Sequence, residues 1–263
     1  IRMGVLDRGK ICPTDGLNNR FCPGYFGHLE LAKPVYHIHY IDKIFKTLKC
    51  VCIRCGRLLI NKNSPQVKNI LKETEHNPRK RWALMWEYLK ENSEKVCGEN
   101  NKDSTINDKN GCGAIQPNYP TRKSNEFNIN VDWQDNEMGD DGEKTDTKQQ
   151  LSPEFILNLF KRISDEDAYC LGFNPKFCRP EWLICTVLPV SPPAMRPSVK
   201  QYTNQRSEDD ITHKMIDIIK NNTTLLKKME SDKSSIETIK GWAQVVQYHV
   251  ATLVDNELPG VNQ

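Results

Sequence analysis

Apolar residues recur at intervals of three and four along much of the chain, and this spacing predicts a largely helical protein. The first such stripe follows Pro34 and consists of Val35, Ile38, Ile41, Ile44, Phe45 and Leu48. The next helix is expected after Asn77 and Pro78, because an N-cap residue followed by proline at the first helical position favours a helix start. Its apolar face consists of Trp82, Met85, Trp86 and Leu89. Residues 1–33 are interrupted by glycine and proline, and we expect a loop there.

The pattern after residue 150 predicts four more helices and one strand. Ser152–Pro153 is again a cap followed by proline, and Ser164 with Asp167 three residues later resembles a capping box. The first of two closing helices should begin at Ser207. The apolar stripes of these two helices are Ile211, Met215, Ile218 and Ile219, and then Ile236, Ile239, Trp242, Val246, Val250 and Leu253. Residues 182–190, WLICTVLPV, predict a strand, so the expected fold is α+β, mainly helical with short strands.

A polar, acidic stretch occupies residues 126–150 and contains the run NVDWQDNEMGDDGEKTDTKQQ. Its composition is that of a solvated insertion, because few apolar residues are present to be buried. We therefore expect this insertion to be poorly ordered.

The composition excludes several classes of protein. The net charge of +3 over 263 residues is too small to indicate a nucleic-acid binder, so any basic surface must be local. No apolar run approaches the roughly 18 residues of a membrane span, and the first residues do not resemble a signal peptide. Ten cysteines without a secretory signal indicate a reducing, intracellular compartment and metal binding. The start at Ile1 and the end at LPGVNQ lead us to expect a fragment of a longer chain.

Four cysteines have the pattern of a structural metal site. Cys52 and Cys55 form C-I-R-C-G, and Cys97 and Cys112 follow, the latter in G-C-G. Four thiolates match the closed tetrahedral coordination of structural zinc, which leaves no position for a reacting water. Because a loop separates the second pair, the spacing alone also allows Cys97 or Cys112 to be an ordinary thiol. Cys50 is interpreted as a bystander. Core thiols are expected at Cys170, Cys178 and Cys185.

Several long strings resemble one family. The run FCPGYFGHLELAKPVYHIHYIDKI, followed by CVCIRCGRLL, resembles the amino-terminal region of the largest subunit of multisubunit DNA-dependent RNA polymerases. The segment LGFNPKFCRPEWLICTVLPVSPPAMRPSV resembles the part of that subunit that carries the lid loop. RSEDDITHKMIDIIKNN and QYHVATLVDNELPG resemble the helices after it. The similarity is collinear over nearly the whole sequence, and it is to the eukaryotic, archaeal and large-DNA-virus type.

The resemblance implies the clamp, the mobile jaw that closes over DNA in the polymerase cleft. It places a first part of the clamp core at residues 1–40, a zinc-bearing clamp head at 41–161 and a second part of the core at 162–263. The lid-like segment falls at about 172–198 by the same resemblance. One structural zinc is implied, with the ligands Cys52, Cys55, Cys97 and Cys112.

A second zinc site of the family is altered in this sequence. The family pattern is C-x-x-C followed by C-P-G-H; Cys12 and Cys22 match it, whereas Asp15 replaces the second cysteine and Tyr25 the histidine. One alternative is a rearranged metal site made of Cys12, Asp15, Cys22 and His28. The favoured interpretation is that the metal is lost, because a neutral tyrosine is a poor ligand. The loop is then expected to keep its shape through Gly24, Gly27 and packing of Phe21 and Phe26.

The expected function is mechanical rather than catalytic. In the family, RNA synthesis uses Mg²⁺ held by an N-A-D-F-D-G-D string, and this sequence contains no such string. No catalytic residue is therefore assigned here, and Mg²⁺ should be bound elsewhere in the full polymerase, a nucleotidyltransferase. The implied partners are template DNA, the RNA–DNA hybrid, the second-largest and smaller subunits, and initiation and elongation factors that dock on the clamp. The implied location is intracellular: the nucleus of a eukaryote, or the virion or host cell of a virus.

Contacts to nucleic acid are expected from Lys176, Arg179 and Arg196, because lysine and arginine bind phosphates without regard to sequence. Ordinary surface charges are the alternative for each of them. Phe177 and Trp182 are candidates for a wedge or stacking surface near the upstream end of the hybrid, and for Trp182 packing in the core is the favoured alternative. From another functional class, a stand-alone zinc-containing DNA-binding or protein-interaction module is the competing hypothesis.

Overall fold

The computed structural model describes residues 3–98, 111–120, 127–134, 146–200, 206–231 and 234–257. Within these ranges the helices are α1 Ile41–Cys50, α2 Pro65–Glu73, α3 Pro78–Asn92, α4 Pro153–Phe160, α5 Asp165–Cys170, α6 Asp210–Glu230 and α7 Ile236–Val254. The strands are β1 Gly27–Tyr36, β2 Ile129–Gln134, β3 Asp146–Leu151, β4 Ile184–Val190, β5 Val199–Lys200 and β6 Arg206–Ser207. The predicted α+β fold is confirmed. None of these helices is long and apolar enough to span a membrane.

The chain divides into two compact units. The first combines Ile1–Ile38 with Cys185–Gln263, and the second is His39–Ile184. The strands form two-stranded sheets, in which β1 pairs with β4, β2 with β3 and β5 with β6. The assignment of segments 1–40, 41–161 and 162–263 to a clamp core and a clamp head stays a prediction.

The first unit is organised around β1 and the two closing helices. Its core consists of the buried side chains Val35, Leu188, Ile218, Leu225, Val246 and Val250. Two buried amides on the helices bind the backbone of β1. Asn222 accepts from Ala32 N at 2.8 Å and donates to Glu30 O at 2.9 Å. Gln247 contacts Tyr36 in the same way, at 2.7 Å to its N–H and 2.9 Å to its carbonyl. The two side-chain amides thus bind backbone N–H and carbonyl groups of β1, which in a larger sheet would pair with a neighbouring strand.

The second unit is organised around α3, which contacts α1, α2 and α5. The Arg81 side chain on α3 is buried, and it donates to the carbonyls of Tyr169, Thr74 and Glu75, each at 3.0 Å. The guanidinium also lies 3.8 Å from the centroid of the Tyr169 ring. A buried guanidinium needs several acceptors, so Arg81 fixes the start of α3 against the end of α5.

The predicted cap residues of this unit are confirmed. Asn77 Oδ1 accepts from Lys80 N at 3.0 Å, and the hydroxyls of Ser152 and Ser164 accept from the backbone three residues later at 3.2 and 3.1 Å. Each bond satisfies an N–H group at a helix start that has no partner within the helix.

Two predicted helix starts are wrong, and one helix was missed. The helix expected directly after Pro34 begins only at Ile41, because residues up to Tyr36 belong to β1. Since β1 begins at Gly27, it also occupies the end of the loop expected at residues 1–33. The helix expected from Ser207 begins at Asp210, where Asp209 is the N-cap and accepts from Ile211 N at 2.8 Å. Helix α2 was not predicted.

The prediction of poor order in the acidic insertion is wrong for its two flanks. β2 and β3 pair antiparallel, with Ile129 opposite Leu151 and Gln134 opposite Asp146. Ile129 and Val131 are buried, so alternate residues of a polar stretch supply apolar burial on one face. The middle of the insertion, residues 135–145, lies outside the described residues.

Candidate metal centre

A tight turn after α1 positions the first two cysteines. This turn, residues 52–57, is called the second knuckle below. Cys52 N donates to Arg57 O at 2.7 Å, and Gly56 N donates back to Cys52 O at 2.9 Å. Gly56 has a φ of +78°, a left-handed conformation that favours glycine. The backbone N–H groups of Cys55 and Arg54 point at the Cys52 sulfur.

A short two-stranded bridge positions the other two cysteines. Cys97 N donates to Ala114 O at 3.0 Å, and Gly113 N donates to Cys97 O at 3.1 Å. This pairing brings Cys112 beside Cys97 although residues 99–110, which are not described, separate them in the sequence.

The four sulfurs lie within 4.8 Å of one another. The Cys52 and Cys112 sulfurs are 3.6 Å apart, and those of Cys55 and Cys97 are 3.7 Å apart. Four sulfurs each about 2.3 Å from a central zinc would be about 3.8 Å apart, so this donor set fits a tetrahedral zinc ion. The predicted grouping of these cysteines is therefore seen in the structure, and the cluster can hold zinc.

Gln116 supports the Cys52 sulfur and was not predicted. Its Nε2 donates to Cys52 Sγ at 3.2 Å and to Ala114 O at 2.8 Å, and its Oε1 accepts from Ile53 N at 3.0 Å. Burial raises the pKa of Cys52, but hydrogen bonds from Cys55, Arg54, Gln116 and Cys112 together lower it to about 7. The sequence signal for this contact is the position of Gln116, four residues after the ligand Cys112. An amide N–H at such a position can donate to a thiolate and stabilise it.

The remaining cysteines only partly follow the predictions. Cys50 lies outside the cluster, as predicted: its thiol is buried and donates to Lys46 O at 3.1 Å, and burial raises its pKa to about 12. Cys170 is buried and Cys185 is partly buried. Cys178 is exposed, so the prediction of a core thiol is wrong there.

The altered loop brings three of its four predicted ligands together. The ligand atoms of Cys12, Asp15 and Cys22 lie within 4.8 Å of one another. His28 lies in β1, is exposed and does not belong to this cluster. Tyr25 instead lies beside it, and its hydroxyl donates to Asp15 Oδ2 at 2.9 Å.

The aromatic packing expected for this loop is wrong. The Phe21 and Phe26 side chains are 70% and 64% exposed, so neither packs in a core. Backbone hydrogen bonds order this loop instead: Cys22 N donates to Asn18 O at 2.9 Å, and Tyr25 N donates to the more distant Met3 O at 2.9 Å.

Two of the three basic residues proposed to contact nucleic acid have partners within the chain. Arg179 Nη1 contacts Asp165, Nε donates to Glu181 Oε1 at 2.5 Å, and Nη2 donates to Ile163 O at 2.9 Å. Arg196 is only 7% exposed and donates to Ser191 O at 3.0 Å. Lys176 is exposed.

The two aromatic residues of the lid-like segment are both exposed. Phe177 is 79% exposed, as a wedge requires. Trp182 is 57% exposed, so the predicted packing of Trp182 in the core is wrong.

The family comparison covers the whole molecule, including both cysteine clusters and the lid-like segment. The family model for RNA polymerase Rpb1, domain 1, matches residues 1–263. This region is the N-terminal part of the largest polymerase subunit. The chain therefore belongs to the RNA polymerase Rpb1 domain 1 family.

Proposed function

We propose that this chain forms the clamp of a DNA-directed RNA polymerase, closes over DNA and the RNA–DNA hybrid, and helps to separate RNA from the template. The observation that carries the proposal is the family match over residues 1–263. The second-largest and smaller subunits are the proposed partners, together with factors that dock on the clamp. Mg²⁺ for RNA synthesis would be held by residues outside this chain. The protein would act in the nucleus of a eukaryote, or in the virion or host cell of a virus.

Zinc is the metal we propose for the four-cysteine cluster, through Cys52, Cys55, Cys97 and Cys112. When bound, it would supply structural cross-linking rather than chemistry, because four protein ligands leave no open position. Around it, the buried side chains are Cys52, Leu59 and Cys97, with Cys55 and Ala114 partly buried. Since three of these five residues are the ligands themselves, this part of the unit depends on the metal for its stability.

Residues 174–182, called the exposed loop below, are the proposed site of RNA separation. Their backbone is ordered by Asn174, whose carbonyl accepts from Cys178 N at 2.8 Å and whose Oδ1 accepts from Lys176 N at 2.9 Å. Arg179 anchors the loop to Asp165 and Ile163. An ordered turn loses little conformational entropy when its exposed side chains contact a ligand.

The exposed side chains of this loop suit a nucleic acid of any sequence. Phe177 offers an aromatic face for stacking on a base, and Lys176 offers a charge for phosphate. Neither contact depends on base identity, as a polymerase that transcribes any template requires. Arg179 is assigned an anchoring role here, and Arg196 is assigned to the packing of the first unit.

The test uses the assembled polymerase with the double substitution Lys176→Ala and Phe177→Ala. Transcription of a single-stranded template should leave RNA paired over an extended hybrid, measured as RNA that ribonuclease H degrades. The matched control is Lys161→Ala with Phe155→Ala, which removes an exposed lysine and a partly exposed phenylalanine elsewhere in the same unit. The control should displace RNA normally.

The defect should be the same on templates of different base composition. Normal RNA displacement by the double variant would contradict the role of the exposed loop. Tight binding of one specific duplex by the chain alone would instead favour a stand-alone DNA-binding module.

A further inference from the structure

The turn at Cys12, residues 12–17, has the backbone geometry of the second knuckle and is called the first knuckle. In both knuckles the cysteine N–H donates to the carbonyl five residues later, at 2.9 Å from Cys12 and 2.7 Å from Cys52. In both, the N–H of a glycine four residues later donates back to the cysteine carbonyl, at 2.8 Å for Gly16 and 2.9 Å for Gly56. These glycines have φ angles of +70° and +78°.

The surroundings of the first sulfur are also equivalent. The N–H groups two and three residues after the cysteine point at its sulfur in both knuckles. An isolated antiparallel bridge flanks each turn at the equivalent position: Ile11 pairs with Asn18, and Val51 with Leu58. The first knuckle therefore has the backbone of a metal-binding turn, and the two knuckles differ in their side chains.

The side chain three residues after the cysteine makes the difference. The second knuckle has the thiol of Cys55 there, whereas the first has the carboxylate of Asp15. Both oxygens of Asp15 already have donors within the protein: Oδ1 accepts from Leu17 N at 2.8 Å and Oδ2 accepts from the Tyr25 hydroxyl at 2.9 Å. The Tyr25–Asp15 bond links the two segments that a metal would link.

This donor set does not fit a closed zinc site. Such a site needs four ligands with free lone pairs directed at the metal, most often thiolates and imidazoles. The Tyr25 hydroxyl keeps its proton and donates a hydrogen bond to Asp15. A neutral phenol is a poor zinc ligand. The thiols of Cys12 and Cys22 also hydrogen-bond to the Asp15 carboxylate. The cluster therefore offers two sulfurs and a carboxylate whose oxygens already have donors, which is fewer than the four ligands that a closed zinc site needs.

We propose that the first knuckle folds without a metal, and that the Tyr25–Asp15 hydrogen bond is the cross-link that replaces it. The knuckle backbone is preformed by its turn hydrogen bonds and by Gly16. The sulfurs of Cys12 and Cys22 then serve as hydrogen-bonding groups rather than as ligands: both thiols contact Asp15, and the Cys12 sulfur also accepts from the turn backbone.

Zinc content tests the first half of the proposal. The chain should be purified within its polymerase complex, and zinc per complex compared between variants, so that zinc in other subunits cancels. Cys12→Ser with Cys22→Ser should leave zinc unchanged, and so should the conservative Tyr25→Phe. A loss of one zinc in either variant would overturn the proposal.

A gain of metal tests whether the knuckle is preformed. The double substitution Asp15→Cys with Tyr25→His places four zinc ligands on the same backbone, and it should raise zinc by one per complex. Zinc content equal to that of the unchanged protein would contradict a preformed metal-binding turn.

Hydrogen exchange tests the second half of the proposal. Tyr25→Phe removes one hydrogen bond to a carboxylate, and it should make amide exchange in residues 12–25 faster by roughly ten-fold. Asp15→Asn, which weakens the same bond, should act in the same direction. The control is Tyr119→Phe: within the described residues the buried Tyr119 hydroxyl has no hydrogen-bond partner, so exchange in residues 12–25 should stay unchanged. Unchanged exchange in the Tyr25→Phe variant would overturn the role of the bond.

Discussion

The two knuckles begin from the same turn and end in different cross-links. The turn geometry survives the replacement of a ligand, because it is set by backbone hydrogen bonds and by a glycine with positive φ. The side chain three residues after the cysteine then decides what links the turn to its neighbour. A carboxylate with a tyrosine partner gives a single hydrogen bond near the surface, whereas structural zinc in small domains contributes on the order of 10 kcal/mol.

The buried clusters of the two units differ in whether they include the cysteines of a knuckle. The first unit has a core of six buried apolar side chains around β1, α6 and α7, and buried amides complete β1. Around the second knuckle, the buried cluster is made mostly of the cysteines themselves. The cluster at the second knuckle therefore depends on the metal ligands, whereas the core of the first unit contains no residue of the first knuckle and does not depend on a metal there.

The largest expected effect compares the residue at the same turn position in the two knuckles. Cys55→Ser should remove one zinc and destabilise the second unit by several kcal/mol, because the remaining three thiols bind the ion weakly. Asp15→Ser, the equivalent change in the first knuckle, should leave zinc unchanged and destabilise the protein far less, because it removes hydrogen bonds and no metal ligand. Thermal unfolding and zinc analysis of both variants measure this difference. Equal zinc loss in the two would contradict the comparison.

A smaller effect is expected from the support of the second knuckle. Gln116→Glu keeps an acceptor for Ile53 N but removes the amide donor to Cys52. Loss of such a supporting contact lowers metal affinity by roughly ten-fold or more. Competition with a chromophoric chelator measures the affinity. Gln149→Glu on β3 is the control, because its side chain accepts from Trp133 and should not affect zinc.

The two units should also differ in their dependence on pH, because of Lys43 on α1. Burial lowers the pKa of Lys43 to about 7, and its Nζ lies 3.0 Å from the centroid of the Trp82 ring. The pKa in the unfolded chain is about 10.4, so the unfolded chain binds more protons between pH 7 and 10. The free energy of unfolding of the second unit should therefore rise with pH in this window, by on the order of 1 kcal/mol per pH unit at most.

Lys43→Met isolates this contribution, because it removes the charge and keeps the apolar stem. Unfolding of the protein and the variant should be compared between pH 7 and 9. A pH dependence identical in both would show that Lys43 is charged to the same degree in the folded and unfolded states.

Local signals in the sequence predicted local structure well. The caps at Asn77, Ser152 and Ser164 are confirmed because a cap needs only residues within one turn. The four-cysteine cluster was also predictable, from the C-x-x-C-G spacing and the family resemblance. The bond between Tyr25 and Asp15 was not predicted, although both residues depart from the family pattern.

Features that depend on distant residues could not be predicted in this way. The local pattern predicts a loop and a helix where β1 lies, because the partners of β1, Asn222 and Gln247, are about 200 residues away in the sequence. The prediction that Arg179 and Arg196 face nucleic acid overlooks partners in other elements: Arg179 contacts Asp165 and Ile163 O, 14 and 16 residues before it, and Arg196 contacts Thr212, 16 residues after it. The strands β2 and β3 were hidden by their polar composition, although Ile129 and Val131 alternate as a strand requires.

An anomalous difference map tests the contrast between the two knuckles most directly. Crystals of the polymerase that contains this chain should be measured on both sides of the zinc absorption edge. We predict a zinc peak at the centre of Cys52, Cys55, Cys97 and Cys112, about 2.3 Å from each sulfur, and no peak between Cys12 and Cys22. A peak of comparable height between Cys12 and Cys22, or none at the four-cysteine cluster, would contradict it.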